Sequence, residues 1–132
     1  MEQKYIKDDI VMYENRIHTI IDTMGLNNYE LSYVRHPVNQ AELSGVHITP
    51  KILEKNGWSR EDGVFGVSPD FKKVIDDPAR KKGYITCLSI YPFFDNDGFS
   101  FFYNNQKLAI IHYIHELQHI FYGLKINSEM EV

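Results

Sequence analysis

The chain has 132 residues, 43% of them hydrophobic and 24% charged, and a net charge of −4. That size holds one compact unit or two very small ones, and the acidic balance lacks the lysine and arginine surplus on which general nucleic-acid binding draws. A single cysteine, Cys87, excludes a disulfide framework and a cysteine zinc site, and no run approaches the roughly 18 apolar residues of a membrane span, so a soluble, intracellular chain without membrane contact is expected.

Nine Tyr and eight Phe lift the aromatic share to 14%, which favours β-structure and large buried side chains. In chain order, Ile10–Tyr13 and Ile17–Ile21 read as a hairpin around Glu14-Asn15-Arg16. In its second strand Ile17, Thr19 and Ile21 share one face and His18 and Ile20 the other, which makes His18 a strand surface residue. Gly25 and Asn27-Asn28 mark a loop, and Tyr29 to Val34 alternates until His36-Pro37 interrupts it. Ala41 to Ile48 reads as a short return strand, and this density of strands suggests a small barrel or curled sheet.

Thr49-Pro50 changes the pattern. Thr caps a helix and Pro opens one, so a short helix is expected up to Asn56, with Gly57 just past its end and Trp58 as a core plug. Val64 to Val67 reads as a strand. Ser68 to Lys82 is a mixed excursion with one helical turn at Asp70 to Ile75, a break at Asp76-Asp77-Pro78 and a solvated cationic run, Arg80-Lys81-Lys82. Tyr84 to Tyr91 is the clearest strand; Asp95 to Gly98 turns it into a return strand, Phe99 to Tyr103.

After the Asn104-Asn105 turn, Lys107 to Gly123 reads as one amphipathic helix, with Gly123 as its C-cap. Its apolar stripe is Ile110, Tyr113, Ile114, Leu117, Ile120, Phe121 and Leu124. His112, His115 and His119 fall nearly opposite, flanked by Glu116 and Gln118, as an exposed or groove-facing polar face. His115-Glu116-Leu117-Gln118-His119 matches H-E-x-x-H, in which two imidazoles one turn apart hold zinc and the Glu acts as general base. His115 and His119, with His112 beside them, are therefore the alternative metal ligands, zinc the alternative cofactor and Glu116 the alternative catalytic residue. A catalytic zinc needs a third protein ligand. The extended motif that supplies one downstream is absent, and nothing singles out His18, His36 or His47 upstream. The competing reading is a solvated histidine face that picks up zinc or nickel adventitiously.

Two separated stretches carry a resemblance. Ile48-Thr-Pro-Lys-Ile-Leu-Glu-Lys-Asn-Gly-Trp58 resembles the "pIpLTeewLlkfGF" segment of a group of small uncharacterised proteins encoded by Bacteroidetes phages, prophages and other mobile elements. Ile114 to Leu124 resembles that group's ending, "YVHQLQNLYFALTGEEL", and Lys125 to Val132 its terminal "TGeELei". Lys7 to Ile20 is similar to its opening hairpin, "iGNlVmyngkiytV", while Ser59 to Asn105 matches in character alone. Those proteins usually carry Asn where this chain has His119 and often Gln where it has Glu116. The resemblance therefore implies that H-E-x-x-H arose by chance within an H-x-L-Q-x helix, and it brings no established activity.

The expected fold class is α+β. An SH3-like small β-barrel module over residues 1–48 precedes an antiparallel sheet over residues 49–132, packed by a short helix and the C-terminal amphipathic helix. The expected function is that of a non-catalytic accessory or binding protein of a phage or mobile element, acting on an unknown protein or small ligand in the cytoplasm of the bacterial host. A zinc-dependent hydrolase is one alternative. A counter-defence factor that binds a host enzyme or nucleotide signal is the other.

Overall fold

The computed structural model describes residues 3–61, 70–76, 85–92, 98–124 and 128–132. Among them the chain is a mixed α+β protein dominated by two antiparallel sheets, one of them a half-barrel, with few helices. The first sheet takes β1 (Ile10–Tyr13), β2 (Arg16–Thr23), β3 (Asn28–Leu31), β4 (Val38–Asn39) and β5 (Ser44–Gly45), in the spatial order β4-β3-β2-β1-β5. After helix α1 (Pro50–Lys55), the second takes β6 (Ser59–Glu61), β7 (Asp70–Asp76), β8 (Ile85–Pro92), β9 (Phe99–Tyr103) and β10 (Gln106–Ile111), in the order β10-β9-β8-β7-β6. Helix α2 (Ile114–Gly123) comes last.

The first hairpin forms where the sequence places it. Glu14 and Asn15 both adopt positive φ, 48° and 63°, which matches the turn to the strands' right-handed twist. β1 is buried on both faces. Val11 and Tyr13 join Tyr5, Ile20, Tyr29, Leu31, Val38 and Leu43 in one core. Ile10, with Met12 packed against it, joins a second core with Val46, Ile48, Leu53, Trp58, Phe71, Leu88, Ile90, Phe101, Ile111, Ile114, Leu117 and Phe121. The alternating faces of one strand thus tie the amino-terminal sheet to the carboxy-terminal helices. β2 lends Ile20 to the first core and leaves Ile17 and Ile21 exposed on its other side. His18 is half-buried, not a surface residue: its Nδ1 donates to the Ser32 carbonyl at 2.8 Å and its ring meets Tyr13.

Thr49 caps α1, its hydroxyl accepting from Ile52 N at 3.2 Å, and Gly57 takes the left-handed conformation beyond the helix at φ +86°. Trp58 is buried and stacks on Phe121, ring centroids 6.3 Å apart. Where a return strand is expected after Ala41, the chain makes a 3-10 turn over Gln40–Glu42 and then only the two residues of β5. Asn39 explains this: its side chain accepts from Ala41 N, and Glu42 reaches back to Asn39 N.

Two further expectations are overturned. Asp70 to Ile75 is not a helical turn but strand β7, paired with β8 from Phe71↔Ile90 to Asp76↔Ile85. Phe71 and Ile75 enter the core at a spacing a strand satisfies, and pairing on both sides overrides local propensity. The long terminal helix is also shorter, because Gln106–Ile111 is strand β10. Asn104 and Asn105 sit at φ 48° and 67°, a hairpin geometry that turns the chain back along β9. Ala109 and Ile111 then face the core while Leu108 and Ile110 face outward, with a bulge between Lys107 and Ala109. Gly123 is the last helical residue and Leu124 the C-cap. The expected strand at Val64 to Val67, the turn at Asp95 to Asp97 and the run Arg80-Lys81-Lys82 lie outside the described residues.

Gly45 is fixed by close approach. A Cβ there would lie 2.5 Å from Cγ of Tyr113, the N-cap residue of α2. Gly45→Ala must displace the root of that ring, not its free end. We expect a loss near the upper end of the overpacking range, about 3 kcal/mol, read as a lower denaturant midpoint at unchanged slope.

Candidate functional site

The H-E-x-x-H residues lie on the first two turns of α2, where the helix meets residues 3–9 and the start of β1. Their surroundings decide what each can do. Ile114 and Leu117 point into the core, and the backbone enters the helix through a bridge between His47 and Tyr113. Ile114 N donates to the Val46 carbonyl at 2.8 Å. This docking rotates the helix so that both the apolar stripe and part of the polar face are covered. His115 is 3% exposed and Gln118 2%. The expected open histidine face therefore does not form: His115 is inside, His119 is half-buried, and His112 precedes the helix instead of extending it.

Glu116 is engaged at the helix start. Its Oε1 accepts from His112 N at 3.0 Å and Tyr113 N at 2.9 Å. A carboxylate in the first turn is stabilised there by the unpaired amides and the positive end of the helix dipole.

His119 is engaged as well. Its Nε2 donates to Asp9 Oδ2 at 2.6 Å. Asp9 is 1% exposed, and the same oxygen accepts from Ile6 N at 2.9 Å. A buried carboxylate is tolerated when it is paired and hydrogen-bonded. The bond to Asp9 raises the His119 pKa above its ordinary value, against the opposing effect of burial.

His115 has the opposite fate. It packs edge-on to Tyr5 at 5.0 Å, stacks on Tyr113 at 5.7 Å and meets His119 edge-on at 5.7 Å. Its Nδ1 is buried without a hydrogen-bonding partner, as is the Tyr5 hydroxyl. Burial lowers its pKa to about 4, although Asp9 and Glu116 pull it upward; His119 and Lys4 push it further down. At neutral pH it is an uncharged aromatic core residue.

Gln118 is the third polar anchor. Its Oε1 accepts from Ile10 N at 2.9 Å, and its Nε2 donates to the carbonyls of Asp8 at 2.9 Å and Ser128 at 3.2 Å. One amide thus joins the start of β1, the turn before it and the terminal segment. That turn holds Asp8 at φ 75°. Tyr5 N, Tyr29 Oη and Gln40 Oε1 form a further chain that pins residues 3–9, with Lys4 N donating to the same Gln40 oxygen.

Beside this cluster opens a recess of about 330 Å³ lined by Ile6, Lys7, Asp8, Asp9, Gln118, Tyr122 and Ser128. A second, shallower hollow of about 460 Å³ runs along Ile21, Leu31, Val34 and Arg35 on the first sheet. Tyr33 at its rim is fully exposed and held at φ 62°.

The upstream histidines do not complete a metal set. His18 is bound to Ser32, His36 Nδ1 donates to the Pro37 carbonyl, and the exposed His47 ring lies against Tyr113. Among the described residues no three His, Cys, Asp or Glu side chains are grouped so that they could hold a metal ion. The residues missed from sequence are Asp9 and Tyr5, along with the anchoring role of Gln118; they come together with α2 through contacts more than 100 positions apart, such as Asp9 with His119. Among the described residues no helix is long and apolar enough to cross a membrane. Comparisons with family models, with curated proteins and with solved structures find no match to this chain.

Proposed function

We propose that this chain is a non-catalytic accessory or binding protein of a phage or mobile element, acting on a protein or small ligand in the cytoplasm of the bacterial host. One observation carries the non-catalytic part: each of the three side chains that a zinc hydrolase would need is engaged or buried in the fold. Glu116 Oε1 holds two backbone amides and His119 Nε2 holds Asp9. His115 is buried against Tyr5 and Tyr113. Binding then falls to surface features, among them the recess between the Lys7-Asp8 turn and α2, with a cation, carboxylates and the exposed Tyr122 ring around it. The strand-turn grammar of residues 1–48 supports an SH3-like barrel as the finer description of the first module, by analogy of pattern alone. The mobile-element origin rests on the resemblance of two stretches. In the ending "YVHQLQNLYFALTGEEL", His115, Leu117 and Gln118 have counterparts while His119 faces Asn.

The test is metal analysis and hydrolase assay on tag-free protein, native and His119→Asn. We expect sub-stoichiometric zinc in both and no zinc-dependent hydrolysis. Stoichiometric zinc in the native protein, lost in His119→Asn together with a hydrolytic activity, overturns the reading.

A further inference from the structure

Asp9 and His119 lie 2.6 Å apart between Oδ2 and Nε2, an ion pair whenever the imidazole is protonated, where α2 meets the amino-terminal segment. Asp9 stands just before β1, 2% exposed at its side chain, and the His119 side chain is 35% exposed. So the imidazole can exchange its proton with solvent while the carboxylate cannot turn away to water. The same Asp9 oxygen fixes Ile6 N, and next to it Gln118 fixes Ile10 N and the Asp8 carbonyl. Ile6, Asp8, Asp9 and Gln118 are also walls of the 330 Å³ recess. A change at this one contact therefore bears directly on the recess.

We propose that Asp9 and His119 form a pH-operated latch that holds residues 6–9 against α2 and thereby sets how open the recess beside them is. The latch is strongest with the imidazolium facing the carboxylate, when attraction adds to the hydrogen bond in a site largely shielded from water. Loss of the proton as pH rises leaves a neutral N–H···O bond, and residues 6–9 open more often. The other charged groups near it fit this assignment. Glu116, on the same helix, also favours a charged His119. His115, its aromatic neighbour, is kept neutral by burial, with Lys4 from the amino-terminal segment opposing any charge there. Tyr5 packs on His115, and burial, with a smaller contribution from the Asp9 charge, raises its pKa so that its hydroxyl stays protonated. Asn at position 119 carries no titrating group, so His119→Asn removes the pH dependence that the latch requires.

The latch goes beyond the binding role and borrows from it only the use of the recess, so its test needs neither ligand nor metal. The His119 ring is titrated by NMR in the native chain and in Asp9→Asn. Exchange protection of the Ile6 and Ile10 amides, corrected for hydroxide catalysis, is followed from pH 6 to 9, with the Leu53 amide of α1 as a remote control. We expect His119 to titrate above the ordinary 6.5 and to fall back towards it in Asp9→Asn. Protection at Ile6 and Ile10 should drop as pH rises through that titration, by about tenfold for each pH unit separating the two titration points. Leu53 should not follow, and His119→Asn should give flat profiles. Equal titration points in the two proteins, native profiles that are flat, or a parallel drop at Leu53 would each overturn the latch. If Asp9→Asn fails to fold, the contrast between native and His119→Asn profiles decides alone.

Discussion

Leu117→Asp is expected to abolish cooperative folding of the carboxy-terminal half. Leu117 is fully buried in the core that α2 shares with α1 and the second sheet. Truncating such a leucine costs about 2–5 kcal/mol through lost transfer and the cavity left behind. Aspartate adds a charge that must either be desolvated or be neutralised by protonation, several kcal/mol more. The sum rivals the roughly 5–15 kcal/mol by which a domain of this kind is stable. The lone tryptophan, Trp58, is buried in the same core and stacked on Phe121, so its fluorescence reports the loss directly. The expected result is a solvent-exposed Trp58 spectrum and no unfolding transition, with Leu117→Ala showing a midpoint lowered by the smaller amount. A Leu117→Asp protein that melts like the native one would refute the placement of α2.

Much of the architecture was legible because short-range chemistry agreed with the final fold. The hairpin at Glu14-Asn15 and the cap at Thr49-Pro50 are written in residues whose conformational preferences act locally, and both stand as expected. The region around β10 shows where this stops. Leu108, Ala109, Ile110 and Ile111 satisfy a period of two as well as one of 3.6 over so few residues. The Asn104-Asn105 turn, with both residues in the left-handed region, was the local clue to a hairpin, and it outweighs the helical reading of Gln106–Ile111. β7 carried less warning, since Phe71 and Ile75 are four apart, a spacing that serves a helix face and a strand face alike.

The candidate site was legible in its residues and not in its roles. The motif drew the eye to His115, Glu116 and His119, which do cluster. What each does is set by partners far along the chain: Asp9 for His119, Tyr5 for His115, and for Gln118 the backbone of Asp8 and Ile10. A helical wheel places side chains relative to their own helix; it cannot show that an amino-terminal segment covers the polar side. Glu116 was the exception. A glutamate in the first turn of a helix is a capping residue on local grounds alone, and it would have been read so had the helix been started at Ile114.

The burial of His115 has a consequence for stability across the acid range. In the unfolded chain the imidazole takes a proton near pH 6.5, whereas in the fold burial delays this to about pH 4. Between those values the unfolded state binds one more proton, so stability rises with pH there and falls on acidification. A gap from 6.5 to about 4 is worth about 3 kcal/mol in total at 1.36 kcal/mol per pH unit. His119 acts in the reverse sense and elsewhere. Its folded pKa lies above 6.5, so its contribution is complete below 6.5 and is lost as pH rises through the folded value. The two histidines, 5.7 Å apart, therefore place a stability maximum close to pH 6.5. Denaturant unfolding followed by Trp58 from pH 4 to 9 is expected to show that maximum. His115→Phe removes the titrating group and keeps an aromatic ring between Tyr5 and Tyr113. Its acid limb should flatten by about 3 kcal/mol relative to the native chain, while its alkaline limb stays. An acid limb of unchanged slope in His115→Phe would show that His115 is not held neutral inside the fold, and with it the docking of residues 3–9 over α2 would fail.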